Sequence, residues 1–104
     1  MDAALKALAE PRRRDILRLV WSQELAAGEI AARFDVTRPA ISQHLRVLSE
    51  ADLVTERRDG TRRLYRARPD TVEALQVFLA RFWDERLDRL RDVAEAAERD
   101  KERP

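Results

Sequence analysis

The sequence predicts one mainly α-helical domain that carries a small β-hairpin and ends in a long helix. Three observations support this fold class. Apolar residues recur at three- and four-residue spacing over most of the first 50 positions, which is typical of amphipathic helices. Asp59 and Gly60 separate two short segments of strand-like composition. After Pro69, the chain has no Gly or Pro up to residue 99, which favours one uninterrupted helix.

The length and composition of the chain exclude several classes of protein. A chain of 104 residues has the size of a single domain, so residues 1–104 are treated as one unit. The chain has no Cys and one His, which excludes disulfides and thiolate chemistry and leaves almost no basis for a metal site. No apolar run approaches the roughly 18–20 residues of a membrane span, and the N-terminus lacks the pattern of a signal peptide. We therefore expect a cytoplasmic protein with no membrane partner.

An enzyme is not expected. With two glycines and one histidine, the chain cannot assemble a glycine-rich phosphate loop or a Ser/His/Asp constellation. No pair of carboxylates lies in an apolar setting. The sequence consequently predicts no catalytic residues and no cofactor.

Two helices are predicted at the N-terminus. The first covers residues 3–9, with Asp2 as its cap and with Leu5 and Leu8 on one face. The second begins at Pro11, because the first turn of a helix does not need the N–H that proline lacks. Its apolar positions continue at helical spacing for about ten residues.

A helix-turn-helix pattern follows within residues 26–51. A short helix is predicted over residues 26–34, and a three-residue connection leads to Thr37, whose hydroxyl can cap the next helix. In that helix apolar residues recur at i, i+4 and i+7, so one stripe is buried. The opposite face is polar and basic, with no acidic residue before Glu50.

A β-hairpin is predicted within residues 53–67. The Asp-Gly pair supplies the positive φ angles of a tight turn between the strands. If these two residues alone form the loop, Glu56 lies opposite Arg63 and Val54 lies opposite Tyr65. A longer turn would shift this register.

The last predicted helix is too long for its own domain. Residues 69–99 would span about 45 Å at 1.5 Å per residue, and their apolar stripe continues beyond the end of the remaining chain. The surplus apolar surface requires a partner, so we expect a homodimer. The aromatic residues Phe78, Phe82 and Trp83 are assigned to interface packing in preference to the alternative, an effector pocket between helices.

Positive charge is concentrated in the middle of the chain. Residues 37–68 hold eight arginines and four acidic residues, which gives 8 − 4 = +4. The whole chain has a formal charge of only +1. Clustering of basic residues in one segment is typical of a protein that binds a polyanion.

The order of elements, two helices joined by a tight turn and then an arginine-rich hairpin, is that of a winged helix-turn-helix. In this architecture the second helix enters the DNA major groove, where Arg can bind guanine and Gln can bind adenine. We assign Arg38 and Gln43 as base-contacting residues. Arg46, Thr37 and Ser42 are assigned to phosphate or mixed contacts. The hairpin, or wing, would lie against the flanking DNA.

The chain resembles the ArsR/SmtB family of winged helix-turn-helix regulators. The matching segments are residues 8–17, 28–31 and 38–48, continuing through 51–54 to the wing at 57–65. The block Pro-Ala-Ile-Ser-Gln-His-Leu-Arg-Val-Leu at 39–48 is specific. The resemblance implies a homodimeric transcriptional regulator, usually a repressor that an effector releases from double-stranded operator DNA.

The resemblance also implies the site residues on the second helix and the interface helices, while the wing arginines follow from the predicted hairpin. The first and last helices, residues 1–9 and 69–99, would form the dimer interface, and His44 is left open between DNA contact and a structural role. The predicted DNA-binding residues are Thr37, Arg38, Ser42, Gln43, His44, Arg46, Arg57, Arg58, Arg62 and Arg63. The predicted interface residues are Leu5, Leu8, Leu75, Phe78, Leu79, Phe82, Trp83, Leu87 and Leu90.

The sequence lacks the metal ligands that some members of this family use for regulation. Metal-sensing members carry Cys on the helix before the recognition helix, or His and acidic ligands on the last helix. Here residues 25–30 contain no thiol and no His follows residue 69. The chain therefore resembles the cysteine-free branch that includes autorepressors. Two alternatives stay open: a helical dimeric protein-interaction module, and a regulator that responds to a small-molecule effector which the sequence does not identify.

Overall fold

The computed structural model describes residues 1–101 and contains five helices and three strands in this part of the chain. It confirms the predicted fold class, a mainly helical domain with a hairpin wing and a long C-terminal helix. The elements in chain order are α1 (Asp2–Leu8), α2 (Pro11–Leu19), β1 (Leu25–Ala26), α3 (Ala27–Ala31), α4 (Arg38–Glu50), β2 (Val54–Asp59), β3 (Arg62–Ala67) and α5 (Pro69–Lys101).

The helix starts follow local capping chemistry. The carboxylate of Glu10 accepts a hydrogen bond from the Arg12 amide at 3.1 Å, directly before Pro11 at the start of α2. The Thr37 hydroxyl accepts from the Ala40 amide at 3.3 Å, which confirms it as the cap of α4. The predicted cap of α1 was wrong, because Asp2 lies inside the first turn and Met1 is the N-cap.

Strand β1 was not predicted. Leu25 and Ala26 pair with Tyr65 and Leu64, which makes a three-stranded antiparallel sheet in the order β1-β3-β2. The predicted third helix therefore loses its first residue to the sheet, and α3 ends at Ala31. A two-residue strand leaves no periodic pattern, because its partner lies about 40 residues further along the chain.

The predicted hairpin turn was wrong by one residue, which shifts every cross-strand partner by two residues. Asp59 is the last residue of β2 and pairs with Arg62, so Gly60 and Thr61 form the loop. Gly60 has a φ of 65°, which matches the glycine-first pattern of a type II′ turn. As a result Glu56 lies opposite Tyr65.

A tight backbone turn joins α4 to β2. Asp52 has a φ of 58°, a left-handed conformation that its short polar side chain tolerates. The Leu53 amide then donates to the Leu48 carbonyl at 2.9 Å and closes the end of α4. Leu53 and Val54 are buried directly after the turn, so the orientation of β2 relative to α4 is fixed by the core.

The core lies between the first four helices and one face of the sheet. Its largest fully buried side chains are Ile16, Val20, Ile30, Ile41, Leu45, Leu48 and Leu53. Helix α4 contributes its predicted stripe at i, i+4 and i+7 to this core. The stripe holds the opposite face of α4 towards solvent.

Helix α5 leaves the domain after its second turn. Leu75 is buried in the core of its own chain, so its side chain does not belong to the exposed stripe that the sequence predicted. Every residue from Gln76 to Lys101 is exposed, and the described chain extends 78 Å along its longest axis. The large apolar side chains exposed on α5 are Val77, Phe78, Leu79, Phe82, Trp83, Leu87, Leu90 and Val93.

Candidate nucleic-acid interface

Helix α4 presents a polar and basic outer face. Arg38, Ser42 and Arg46 lie four residues apart, so they follow one line along the helix, and all three are exposed. No acidic residue lies in the first turn. The positive end of the helix dipole and the basic side chains therefore act in the same direction, and both attract phosphate.

A groove separates α4 from the wing. It has a volume of about 960 Å³, and Arg38, Ser42 and Arg46 line it on the α4 side. Arg62 and Arg63 line it on the wing side. Five of the ten predicted DNA-binding residues are thus brought to one concave surface.

The other five predicted residues do not line this groove. Thr37 and Gln43 are exposed on α4 but do not line the groove. The groove also contains three carboxylates, those of Glu29, Glu50 and Glu56. Its electrostatic character is therefore mixed rather than uniformly positive.

The wing arginines are divided between the two faces of the hairpin. Side chains alternate along a strand, and the observed register pairs Arg58 with Arg63. Arg58 and Arg63 consequently share the face that carries Glu56. Arg57 and Arg62 lie on the opposite face, as they would also have done in the predicted register.

Three of the four wing arginines form ion pairs with carboxylates of the same chain. Arg57 donates two hydrogen bonds to Glu24, both of 2.7 Å, and this pairing lowers the pKa of the Glu24 carboxyl. Arg62 pairs with Glu29. Arg63 lies 3.2 Å from Glu56, and Arg58 has no ion pair within residues 1–101.

Sequence reasoning missed Glu24 and Glu29. Both precede residue 37 and so fell outside the segment in which charge was counted. The only available signal was their position next to a short strand that was itself not predicted. The Glu29 carboxylate also accepts a hydrogen bond from the Ala26 amide at 3.0 Å, so it stabilises the start of α3 as well.

His44 lies on the side of α4 that faces α2. It is half-buried, and its Nδ1 lies 3.4 Å from a guanidinium nitrogen of Arg13. Burial lowers the pKa of His44, Arg13 lowers it further, and Glu10 partly opposes this effect. The contact requires an unprotonated Nδ1, because the arginine can only donate.

We predict that the single His of the chain titrates below pH 6.5. The unfolded chain then binds the proton at a higher pH than the folded chain does. Stability contributed by neutral His44 is therefore complete above pH 6.5 and is lost as the pH falls through the folded pKa. Proton NMR of the imidazole ring measures the midpoint directly. A midpoint at or above 6.5 would contradict the prediction, and Arg13→Gln should move the midpoint upwards.

The three arginines at residues 12–14 have structural contacts. Arg13 Nε donates to the Ala7 carbonyl at 2.6 Å, and Arg14 donates to the Leu8 carbonyl at 2.8 Å, so both close the C-terminal end of α1. The Arg12 guanidinium lies 5.0 Å from the centre of the Phe34 ring. Arg13 and Arg14 therefore join α1 to α2, and Arg13 extends the connection to His44 on α4.

Two other kinds of site are absent from the described part of the chain. Within residues 1–101, no three His, Asp or Glu side chains are grouped so that they could hold a metal ion. None of the helices in this range combines the length and apolarity needed to cross a bilayer.

The fold and the groove define a winged helix-turn-helix DNA-binding domain. Residues 8–57 match the family model described as a helix-turn-helix domain. The HTH-type transcriptional regulator Rv2034 of Mycobacterium tuberculosis is 48% identical over 82 residues, covering 79% of this chain and 77% of that protein. The transcriptional repressor SdpR of Bacillus subtilis is 38% identical over 60 residues, covering 58% and 67% respectively.

A solved structure of a transcriptional regulator has the same fold. An ArsR-like transcriptional regulator from Rhodococcus superposes with a TM-score of 0.75 at 29% identity, covering 89% of this chain and 91% of that one. The chain belongs to the ArsR family of transcriptional regulators, as its resemblance at residues 8–65 predicted. It is a DNA-binding regulator of transcription.

Proposed function

We propose that the protein is a homodimeric repressor that binds a two-fold symmetric operator in double-stranded DNA and acts in the cytoplasm. The observation that carries this proposal is the groove in which Arg38 and Arg46 of α4 face Arg62 and Arg63 of the wing. The name of the Bacillus subtilis relative, a transcriptional repressor, supports repression as the outcome.

In the proposed complex α4 lies in the major groove. Arg38 and Gln43 contact base edges, while Thr37, Ser42 and Arg46 contact phosphates. The wing lies along the adjacent backbone. His44 is assigned to packing against α2, because its ring nitrogen faces Arg13 and not the groove.

The proposed dimer pairs the exposed stripe of α5 with the same stripe of a second copy. Leu5 and Leu8 of α1 are half-buried, and Leu8, Leu17 and Trp21 line an apolar groove of about 500 Å³ between α1 and α2. Apolar surface on α1, α2 and α5 would be covered together. Two recognition helices would then lie about 34 Å apart, which matches half-sites one turn of DNA apart.

Gel retardation with DNA from the upstream region of the protein's own gene tests the proposal. We expect a retarded complex that specific DNA competes away at lower concentration than random DNA does. The affinity should fall steeply with salt, because phosphate contacts release counterions. Equal competition by both DNAs would contradict sequence-specific binding and favour a protein-interaction module.

The wing is expected to contribute affinity without sequence preference. Replacing Arg58 and Arg63 by Ala should weaken binding to all DNA sequences alike. It should also reduce the slope of log affinity against log salt by about 0.9 for each phosphate that the variant no longer binds. Titrations at four or more salt concentrations measure this slope, with Arg89→Ala on α5 as the matched control. An unchanged slope would place the wing in solvent.

A further inference from the structure

The tip of the wing extends beyond the three-stranded part of the sheet. Strand β1 pairs only with Leu64 and Tyr65, so residues 57–63 form a ribbon of two strands. All residues from 55 to 63 are exposed, and none of them contributes an apolar side chain to the core. A two-stranded ribbon without an apolar face is marginally stable in water, so other contacts must hold its orientation.

Two ion pairs supply these contacts. The Arg57–Glu24 and Arg62–Glu29 pairs, called here the wing ion pairs, join the ribbon to the start of β1 and to α3. The Arg57–Glu24 pair is bidentate, which fixes the angle as well as the distance between the two groups. Both arginines lie on the hairpin face opposite Arg58 and Arg63.

We propose that Glu24 and Glu29 are positioning residues for DNA binding. The wing ion pairs hold the ribbon at a fixed angle to α4, so Arg57 and Arg62 act through orientation. On the other face, Arg58 and Arg63 bind the phosphates, and the Arg63–Glu56 pair joins the two strands of the ribbon to each other only. The inference rests on the proposed function of the groove. It adds that some wing arginines position the wing and others bind phosphate.

Positioning and simple electrostatics predict opposite changes in DNA affinity when one of these glutamates is removed. Each glutamate is a negative charge close to a site for a polyanion, so removing it should strengthen DNA binding on charge alone. If the glutamate holds the wing in place, removing it weakens binding instead, because Arg58 and Arg63 are no longer held against the phosphates. The two explanations therefore predict opposite effects of one substitution.

The primary experiment compares Glu24→Ala with Glu50→Ala in the full-length protein. Glu50 is the control, because it is a carboxylate that lines the groove and has no ion pair within residues 1–101, whereas Glu24 pairs with Arg57 outside the groove lining. We expect Glu24→Ala to weaken binding of the operator roughly fivefold, the upper range for an exposed ion pair, and to make the salt slope shallower. Glu50→Ala should bind roughly twofold more tightly. Glu24→Ala binding as tightly as the unsubstituted protein, or more tightly, overturns the proposal.

A charge swap separates positioning from direct contact. Glu24→Arg combined with Arg57→Glu restores the ion pair but removes the positive charge from the wing strand. If Arg57 acts through orientation, the swapped protein recovers most of the affinity that Arg57→Glu alone loses. If Arg57 contacts a phosphate, the swapped protein stays as weak as the single variant, and the proposal fails.

A measurement without DNA keeps the test independent of the proposed function. The chain has no Cys, so spin labels can be placed selectively at Thr61→Cys on the wing and Gln43→Cys on α4. We expect a narrow distance distribution that broadens when Glu24→Ala is added, with circular dichroism showing the same helix content. Equal widths overturn the inference about Glu24. Absence of operator binding by the unsubstituted protein, with broadening still observed, refutes the proposed function alone.

Discussion

Replacing Trp83 and Leu90 together by Glu is expected to produce a folded monomer that binds operator DNA about 10² to 10⁴ times more weakly than the unsubstituted protein. The two side chains are 62% and 65% exposed in the single chain, so the fold does not depend on them. In the proposed dimer they are buried, and each new carboxylate would lose its hydration without gaining a partner. The large loss of affinity follows because a monomer occupies one half-site at a time.

Sedimentation equilibrium and gel retardation measure the two parts of this prediction separately. Arg81→Glu is the matched control, since it adds a carboxylate on the opposite side of α5 from both residues. The control should remain dimeric and keep its affinity. A dimeric Trp83→Glu/Leu90→Glu protein would contradict the prediction. An unsubstituted protein that is monomeric at micromolar concentration would contradict the proposed dimer itself.

Replacing Arg38 or Gln43 by Ala is expected to reduce discrimination between bases by about 1 to 3 kcal/mol for each bidentate interaction that the variant cannot make. Arg38 lines the groove at the N-terminal end of α4, and Gln43 is exposed one turn further on. Either substitution lowers the preference for the operator over single-base variants at one position in each half-site. Overall affinity for random DNA should change little.

Competition against a set of single-base operator variants measures this discrimination. Arg46→Ala is the control, because a phosphate contact carries no sequence information and its removal should weaken binding to all variants equally. If the Arg38→Ala and Gln43→Ala proteins both rank the variants as the unsubstituted protein does, neither residue contacts a base.

Local and periodic features of the fold could be predicted from the sequence. The buried stripe of α4, the Thr37 cap and the length of α5 depend on residues within one or two turns of each other. Capping and helical spacing are short-range effects, so one sequence is sufficient to predict them. The exposed apolar surface of α5 was likewise visible as a stripe too long for its own core.

Features that depend on distant pairing could not be predicted. Strand β1 exists because Leu25 and Ala26 meet β3, and nothing in their own identity requires a strand. The turn also differed from the predicted one. Asp59 can either begin a loop or end a strand, and its pairing with Arg62 makes it the last residue of β2. The one-residue shift of the turn moved every cross-strand pair by two residues but left the faces of the wing arginines unchanged, since side chains alternate along a strand.

The residue types of the candidate site could be predicted from the sequence, but the contacts between its side chains could not. The basic residues of α4 and the wing were identified, and the groove gathers five of them. The carboxylates of Glu24 and Glu29 were missed, as their pairing with Arg57 and Arg62 spans 33 residues in each case. A charge count over a segment cannot show which arginines are already neutralised by a partner.

In the proposed dimer, the exposed length of α5 would make the activity of this regulator depend on its abundance in the cell. Below the dissociation constant of the proposed pair, the amount of assembled protein varies with the square of the chain concentration, so halving the chain lowers it about fourfold. A promoter controlled by its own product in this way would be released sharply as growth and division dilute the chain. The same helix would then set the threshold at which repression ends, without any effector.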